Sequence, residues 1–178
     1  MADGSGYEIL SDAVWAVWEP LIEAVRPRGK TPAEDAALAD EIERHAPTVV
    51  ALAGFMRVLT APFVRRYEGR LVNIHPSLLP SFPGLDTHAR ALAGGVKVHG
   101  CTVHFVTAQL DHGPIIVQAA VPVRPDDTEA TLGARVLRQE HVVYPRALRW
   151  FLEKRLVIGD GVVRVRGKDA QLVYSDRD

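Results

Sequence analysis

The sequence predicts an α/β protein, an open twisted sheet flanked by helices, and three observations carry that prediction. Apolar runs of strand length alternate with longer amphipathic stretches of helical period, without internal repeats. Helix start and stop signals bracket the longer stretches, beginning with the capping box Thr31-Pro32-Ala33-Glu34. Two apolar runs, residues 48–53 and 70–75, each end in turn-forming residues, so their carboxyl ends should face one crevice, where open α/β sheets bind ligands.

In chain order, Asp3-Gly4-Ser5-Gly6 reads as a flexible terminus, because a phosphate-holding glycine loop needs a strand before it and Met1-Ala2 is too short. Val14, Trp15, Trp18, Leu21, Ile22 and Val25 fall near helical spacing, which fits an amphipathic packing helix. The helix opened at Thr31 should turn Ala37, Leu38 and Ile42 to a core and stop by Pro47. Residues 48–53 then form a buried strand, and Gly54 lets the chain turn into the loop 55–59. A short helix over 60–67 leads to the strand 70–75.

Asp86 or Thr87 should cap a helix through Leu92, closed by Gly94-Gly95. Strands follow over 100–106 and 115–121, joined through the turn Asp111-His112-Gly113-Pro114. A long helix from about Thr128 to Lys154 should be kinked or split at Pro145. Asp160-Gly161 between 156–158 and 162–165 has the chemistry of a hairpin turn.

The chain of 178 residues, 47% hydrophobic, suits one domain with a sizeable core. A formal charge of −1 gives no electrostatic basis for a nucleic-acid or anionic-membrane surface and favours a small-molecule or protein partner. The single cysteine, Cys101, excludes an intramolecular disulfide and every cysteine-cluster metal site, in keeping with a reducing cytoplasm, and it reads as a small buried strand residue. No apolar run approaches a membrane span, and no basic segment followed by an apolar stretch marks the start for secretion.

Chemistry concentrates in Asn73-Ile74-His75-Pro76-Ser77-Leu78-Leu79-Pro80. Side chains two apart on a strand share a face, so Asn73 and His75 converge. An amide donor beside a group that can be protonated near neutral pH suits an oxyanion forming at a carbonyl under attack, although such pairs also cap loops. Pro80 is a candidate for a cis bond after the turn, and His104, inside a strand, reads as a satisfied core histidine.

The run 73–92, then His99-Gly100-Cys101-Thr102-Val103-His104-Phe105-Val106-Thr107 and Leu110-Asp111-His112-Gly113-Pro114-Ile115-Ile116, resembles the glycinamide ribonucleotide formyltransferase family. Ala53-Gly54-Phe55-Met56-Arg57-Val58-Leu59 upstream and Arg138-Gln139-Glu140-His141-Val142-Val143-Tyr144-Pro145 downstream fit the same pattern in the same order. The resemblance covers about residues 31–158, leaving 1–30 as an atypical segment and 159–178 as a hairpin or tail. It implies a Rossmann-like sheet whose usual N-terminal strands and phosphate loop are missing or replaced. A strand at 48–53 would then lose a neighbour, and its open edge would invite homodimerisation or cover by the tryptophan-bearing helix.

The activity implied is transfer of a formyl group from 10-formyltetrahydrofolate to the amine of glycinamide ribonucleotide, without a metal. By resemblance the catalytic positions are Asn73, His75 and Asp111: Asn73 as oxyanion donor, His75 as donor and general acid, and Asp111 as the carboxylate that favours imidazolium and relays the proton. The folate walls match Met56, Arg57, Val58 and Leu59 together with Thr107, Ala108, Gln109, Leu110 and Asp111, with Asn73 between them, and Arg57 is a candidate for the folate tail. Leu137, Arg138, Gln139 and Glu140 match the contact to the ribonucleotide. Asp86 stands where bacterial members often carry histidine, either as a helix cap or as a second carboxylate near Asp111.

Two related folate enzymes share parts of this pattern. Formyltetrahydrofolate deformylase and methionyl-tRNA formyltransferase normally carry additional domains, and the run His75 to Gly84 favours the ribonucleotide enzyme over both. A different class of reading is a shortened remnant that keeps a folate crevice and acts by weak binding or through a partner.

Overall fold

The computed structural model describes residues 32–55 and 57–176. The expected tryptophan-bearing helix, the glycine-rich start, Thr31 of the capping box and Met56 lie outside the described residues.

Helix α1 (Pro32–Arg44) turns Asp35, Ala39 and Ile42 inward with Leu38 partly buried, a spacing of three and four that marks one helical face. Ala37, expected on that face, is exposed and Ala39 is buried in its place. The face packs with Phe63, Tyr67, Val50 and Leu71 as a small separate core. Phe63 and Tyr67 belong to or close helix α2 (Ala61–Arg66), which begins after Thr60 with proline in its first turn.

The main sheet has the order β1-β2-β3-β4-β7. Strand β1 (Val50–Leu52) runs parallel to β2 (Leu71–His75), β2 antiparallel to β3 (Val98–Phe105), and β3 antiparallel to β4 (Ile115–Pro122). Strand β7 (Leu172–Tyr174) lies parallel to β4, so part of the segment expected as a hairpin or tail completes the sheet. At the opposite side β1 is the edge strand among the described residues. The predicted α/β class holds, with a mixed rather than all-parallel sheet.

Period-two alternation divides the sheet's faces by chemistry. Val72, Ile74, Cys101, Val103, Phe105, Val117 and Ala119 enter the larger core. Helix α4 (Glu129–Leu152) covers it with Leu132, Val136, Val143, Ala147 and Trp150. Cys101 is fully buried, and burial pushes its thiol up to about 12. Asn73 and His75 share the other face of β2, and their register partners across β3 are His104 and Thr102.

One expectation about helices is narrowed and one is corrected. Of the two outcomes expected at Pro145, a split does not occur, because α4 runs through it; the missing N–H removes the bond to the carbonyl of His141, an exposed residue. Asp86 takes the cap position of helix α3 (Thr87–Ala93), but its backbone is left-handed (φ 56°) and its side chain makes no capping bond. Thr87 instead donates to the Pro76 carbonyl at 2.7 Å. By contrast, Thr128 caps α4 through a reciprocal box with Thr131. The hairpin of β5 (Leu156–Gly159) and β6 (Val162–Val165) turns at Asp160 and Gly161, both at positive φ as a primed turn requires.

Candidate active site

The segment after β2 is held by side chains from the polar face of the sheet. Thr102 Oγ1 donates to the Ser77 carbonyl at 2.7 Å and accepts the Leu79 N–H at 3.0 Å. Gln118 Nε2 donates to the Leu79 carbonyl at 2.9 Å, and Ser77 Oγ to the Ser81 carbonyl at 2.6 Å. The Leu79-Pro80 bond is cis, as the sequence suggested. This bracing returns the chain over His75, whose Nε2 lies 3.0 Å from the Phe82 carbonyl oxygen.

The other ring nitrogen, Nδ1, is 3.5 Å from Asp111 Oδ2, and both side chains are largely buried. Asp111 sits at positive φ (50°) in the loop before β4, and its Oδ2 also accepts the Gly84 N–H at 2.8 Å. One carboxylate thus ties three segments together at the histidine. Both nitrogens of His75 face acceptors, so the ring donates to both only when both carry hydrogen.

Asn73 is oriented by a residue whose part in the site the sequence reading missed. Its Nδ2 is 3.4 Å from His104 Nε2, while His104 Nδ1 is 2.9 Å from the Phe105 carbonyl oxygen. The carbonyl assigns the ring hydrogen to Nδ1, leaving Nε2 as the acceptor for the amide. Burial lowers the His104 pKa, consistent with that neutral form. His104 is therefore a satisfied core histidine, as expected, and also the orienter of Asn73. The signal available was its place on the adjacent strand, but register is not visible in a single run of residues.

Asn73, His104 and Asp111 border a shallow crevice. Leu52, Phe55, Arg57, Val58 and Leu59 form one wall, and Thr107, Ala108 and Leu110 the other. Gly54, at φ 61°, makes the bend from β1 into the first wall, a conformation that L side chains rarely adopt. Of the expected wall residues, Gln109 is exposed and does not line the crevice, whereas its carbonyl accepts from Thr107 Oγ1 at 3.1 Å. Phe55 lines it without having been assigned there. Such a shape, with apolar walls and a few convergent polar groups, suits a flat organic ligand.

Arg57 is mostly buried and paired with Asp35 at 2.9 Å. The four matched residues of α4 separate: Leu137 and Arg138 are exposed, Arg138 bordering a different depression with Arg124 and Asp127, while Gln139 and Glu140 are half-buried. Burial raises the Glu140 pKa, with His141 opposing it.

An amide, an imidazole and a carboxylate gathered at the carboxyl end of a strand, beside an apolar-walled crevice in an α/β sheet, define a site suited to acyl-group chemistry. The formyl transferase family model matches residues 19–148. The phosphoribosylglycinamide formyltransferase of Escherichia coli strain K12 is 52% identical over 136 residues, covering 76% of this chain and 64% of that protein. The solved phosphoribosylglycinamide formyltransferase of Anaplasma phagocytophilum superposes with a TM-score of 0.77 at 41% identity, covering 79% of this chain and 70% of the other. A formyltetrahydrofolate deformylase from Pseudomonas syringae pv. tomato reaches 0.70 at 36% identity, covering 76% and 46%. The chain belongs to the formyl transferase family. It spans somewhat under two thirds of the Escherichia coli relative's length.

Proposed function

We propose that this chain transfers a formyl group from 10-formyltetrahydrofolate to the primary amine of glycinamide ribonucleotide, a step of purine synthesis, in the cytoplasm. The observation that carries the reading is the convergence of Asn73, His75 and Asp111 beside an open crevice with apolar walls.

In this reading the folate lies between the loop of Arg57, Val58 and Leu59 and the loop of Thr107, Ala108, Leu110 and Asp111. The attacking amine forms a C–N bond to the formyl carbon, whose oxygen gains negative charge. Asn73, with one amide hydrogen directed to His104, keeps the other for that oxygen. An oxyanion donor of this kind contributes about 10²–10³ in rate. His75 donates to the same oxygen and supplies a proton to the departing folate nitrogen as the old C–N bond breaks. The amine gives up its own proton to Asp111, which passes it to His75 Nδ1 across their 3.5 Å contact, so His75 and Asp111 are restored and the net proton transfer is from amine to folate. General acid–base help of this kind is worth about 10²–10⁴. Glu140, with Gln139, Leu137 and Arg138 around it, is the proposed ribonucleotide contact, its half-buried carboxylate being the most suited to accept from hydroxyl groups.

The experiment is the initial rate of tetrahydrofolate formation from 10-formyltetrahydrofolate, with and without glycinamide ribonucleotide, for wild type and His75→Ala. A rate that requires both the ribonucleotide and His75 is expected. A rate indifferent to the ribonucleotide would make the protein a hydrolase of the deformylase kind, and no rate in a folded protein would remove the transferase reading altogether.

A further inference from the structure

The buried face of helix α1 contains one residue that its packing does not explain. Asp35 occupies the inward stripe with Leu38, Ala39 and Ile42, where an apolar side chain is expected, and is only 3% exposed. A carboxylate in that position is costly unless it is paired and hydrogen-bonded. Its two oxygens divide between two residues that follow β1 in the chain. Oδ1 accepts from Arg57 Nη2 at 2.9 Å, and Oδ2 accepts the Thr60 backbone N–H at 2.6 Å. These partners stand at the two ends of the strap 57–60, whose Arg57, Val58 and Leu59 form one wall of the crevice.

We infer that Asp35 is a positioning residue for that wall: a carboxylate on α1, outside the crevice, sets the strap's height above β1 and aims the Arg57 guanidinium. The inference rests on the folate reading of the crevice. Arg57 has Nη2 committed to Asp35, with Glu34 Oε2 a further 3.8 Å contact. Its Nε and Nη1 are buried and find no hydrogen-bond partner among the described residues. Asp35 therefore supplies the directed hydrogen bond that fixes the guanidinium of a residue lining the crevice. At that end the Thr60 carbonyl accepts the Val64 N–H at 3.0 Å and Leu59 packs on the small core. Thr60 precedes α2 without capping it through its side chain, so the Asp35 carboxylate takes an amide that would otherwise lack a side-chain acceptor. A site whose wall is fixed by a supporting shell loses affinity when that support is removed, even though no contact to the ligand is deleted.

Asp35→Asn tests this with almost no change of volume. The amide offers one acceptor where two are needed and sets a donor against either Arg57 or Thr60. The expected result is a KM for 10-formyltetrahydrofolate raised on the order of tenfold, with kcat and the KM for glycinamide ribonucleotide each within about threefold. Titration calorimetry with 5-formyltetrahydrofolate should show the same loss. Asp35→Asn combined with Arg57→Gln should cost less than the product of the two single effects, because the first acts in large part through the second.

A purely structural Asp35 gives a lowered melting temperature with both KM values unchanged, or multiplicative effects in the double variant, and either overturns the inference. Proton–nitrogen spectra of the Thr60 amide and the Arg57 side chain serve as a readout independent of turnover. Asp35→Asn should shift both and speed Thr60 amide exchange on the order of tenfold or more. If wild type binds no folate, the functional reading fails by itself; unshifted Thr60 and Arg57 signals in the variant then reject the positioning role, and shifted ones uphold the strap anchorage.

Discussion

Asn73 Nδ2 and His104 Nε2 stand 3.4 Å apart across the β2–β3 ladder, and the histidine's other nitrogen is held by its neighbour's carbonyl. The amide therefore has a defined orientation before any substrate arrives. His104→Phe should keep the volume and remove the acceptor, leaving a partly buried donor unpaired at about 1–3 kcal/mol of stability. On the proposed function, the formyl-transfer rate should fall about 10–100-fold as the amide loses its aim. His104→Gln, with a carbonyl in reach, should recover part of both. Equal rates for the Phe and Gln variants, measured beside urea unfolding, would mean that the imidazole does not orient Asn73.

His88 and His99 lie beneath the segment carrying His75, with His88 Nδ1 3.1 Å from His99 Nε2. Burial, with the neighbouring imidazole second, lowers His99 to about 4, and burial lowers His88 as well. The folded state holds these rings neutral more firmly than the unfolded chain does. Their contribution is thus complete above about pH 6.5 and is lost as pH falls toward the folded value near 4. For His99, which is fully buried, the shift corresponds to about 3 kcal/mol. Melting temperature should fall between pH 6.5 and 4, and less steeply in His99→Gln. Parallel pH profiles for the two proteins would remove His99 as the cause.

Gly113 closes the same loop by contact. A Cβ built there would lie 1.7 Å from the Phe105 carbonyl oxygen, and the backbone cannot yield without breaking the Phe105 N–H to Pro114 carbonyl bond of 2.9 Å. Gly113→Ala should cost about 3 kcal/mol or more and displace Asp111. Gly159→Ala, at a position with open space and no positive φ, is the control and should stay within about 0.5 kcal/mol. Urea midpoints that agree for the two variants would contradict the close approach.

How far the sequence spoke depended on the range of each interaction. Period two on one strand is local, so the shared face of Asn73 and His75 was legible. So was the Asp160-Gly161 turn, whose two positive φ angles are a property of those residues. The reading stopped where a second segment decides. His104 orients Asn73 only because two strands pair in one register, and Asp35 looked like an ordinary first-turn acid until α1 was placed against the strap. Strand β7 was missed because three residues flanked by polar ones carry no periodic signal; parallel pairing with β4 makes them a strand. Among the matched residues of α4, the sequence motif did not separate Leu137 and Arg138 from Gln139 and Glu140; packing on the sheet did.

Tyr144 joins the helix to the end of the crevice. Its hydroxyl lies 2.8 Å from the Leu52 carbonyl oxygen and 3.2 Å from that of Val72, bridging the edge strand to its neighbour from below. Burial raises its pKa, with the Leu52 hydrogen bond opposing the rise, so the phenol remains a donor throughout the neutral range. Leu52 lines the crevice and lies just before Gly54, so this one hydrogen bond fixes where the first wall begins. Tyr144→Phe keeps the ring packing and deletes the donor, which should cost about 1–2 kcal/mol with an unchanged urea slope. Because β1 has β2 as its sole strand neighbour among the described residues, the loss should concentrate there. Amide exchange in β1 should accelerate more than in β3, and, on the proposed function, the KM for the formyl donor should rise while the ribonucleotide KM holds. Uniform acceleration across the sheet would instead mean that Tyr144 supports the core as a whole and has no particular hold on the crevice.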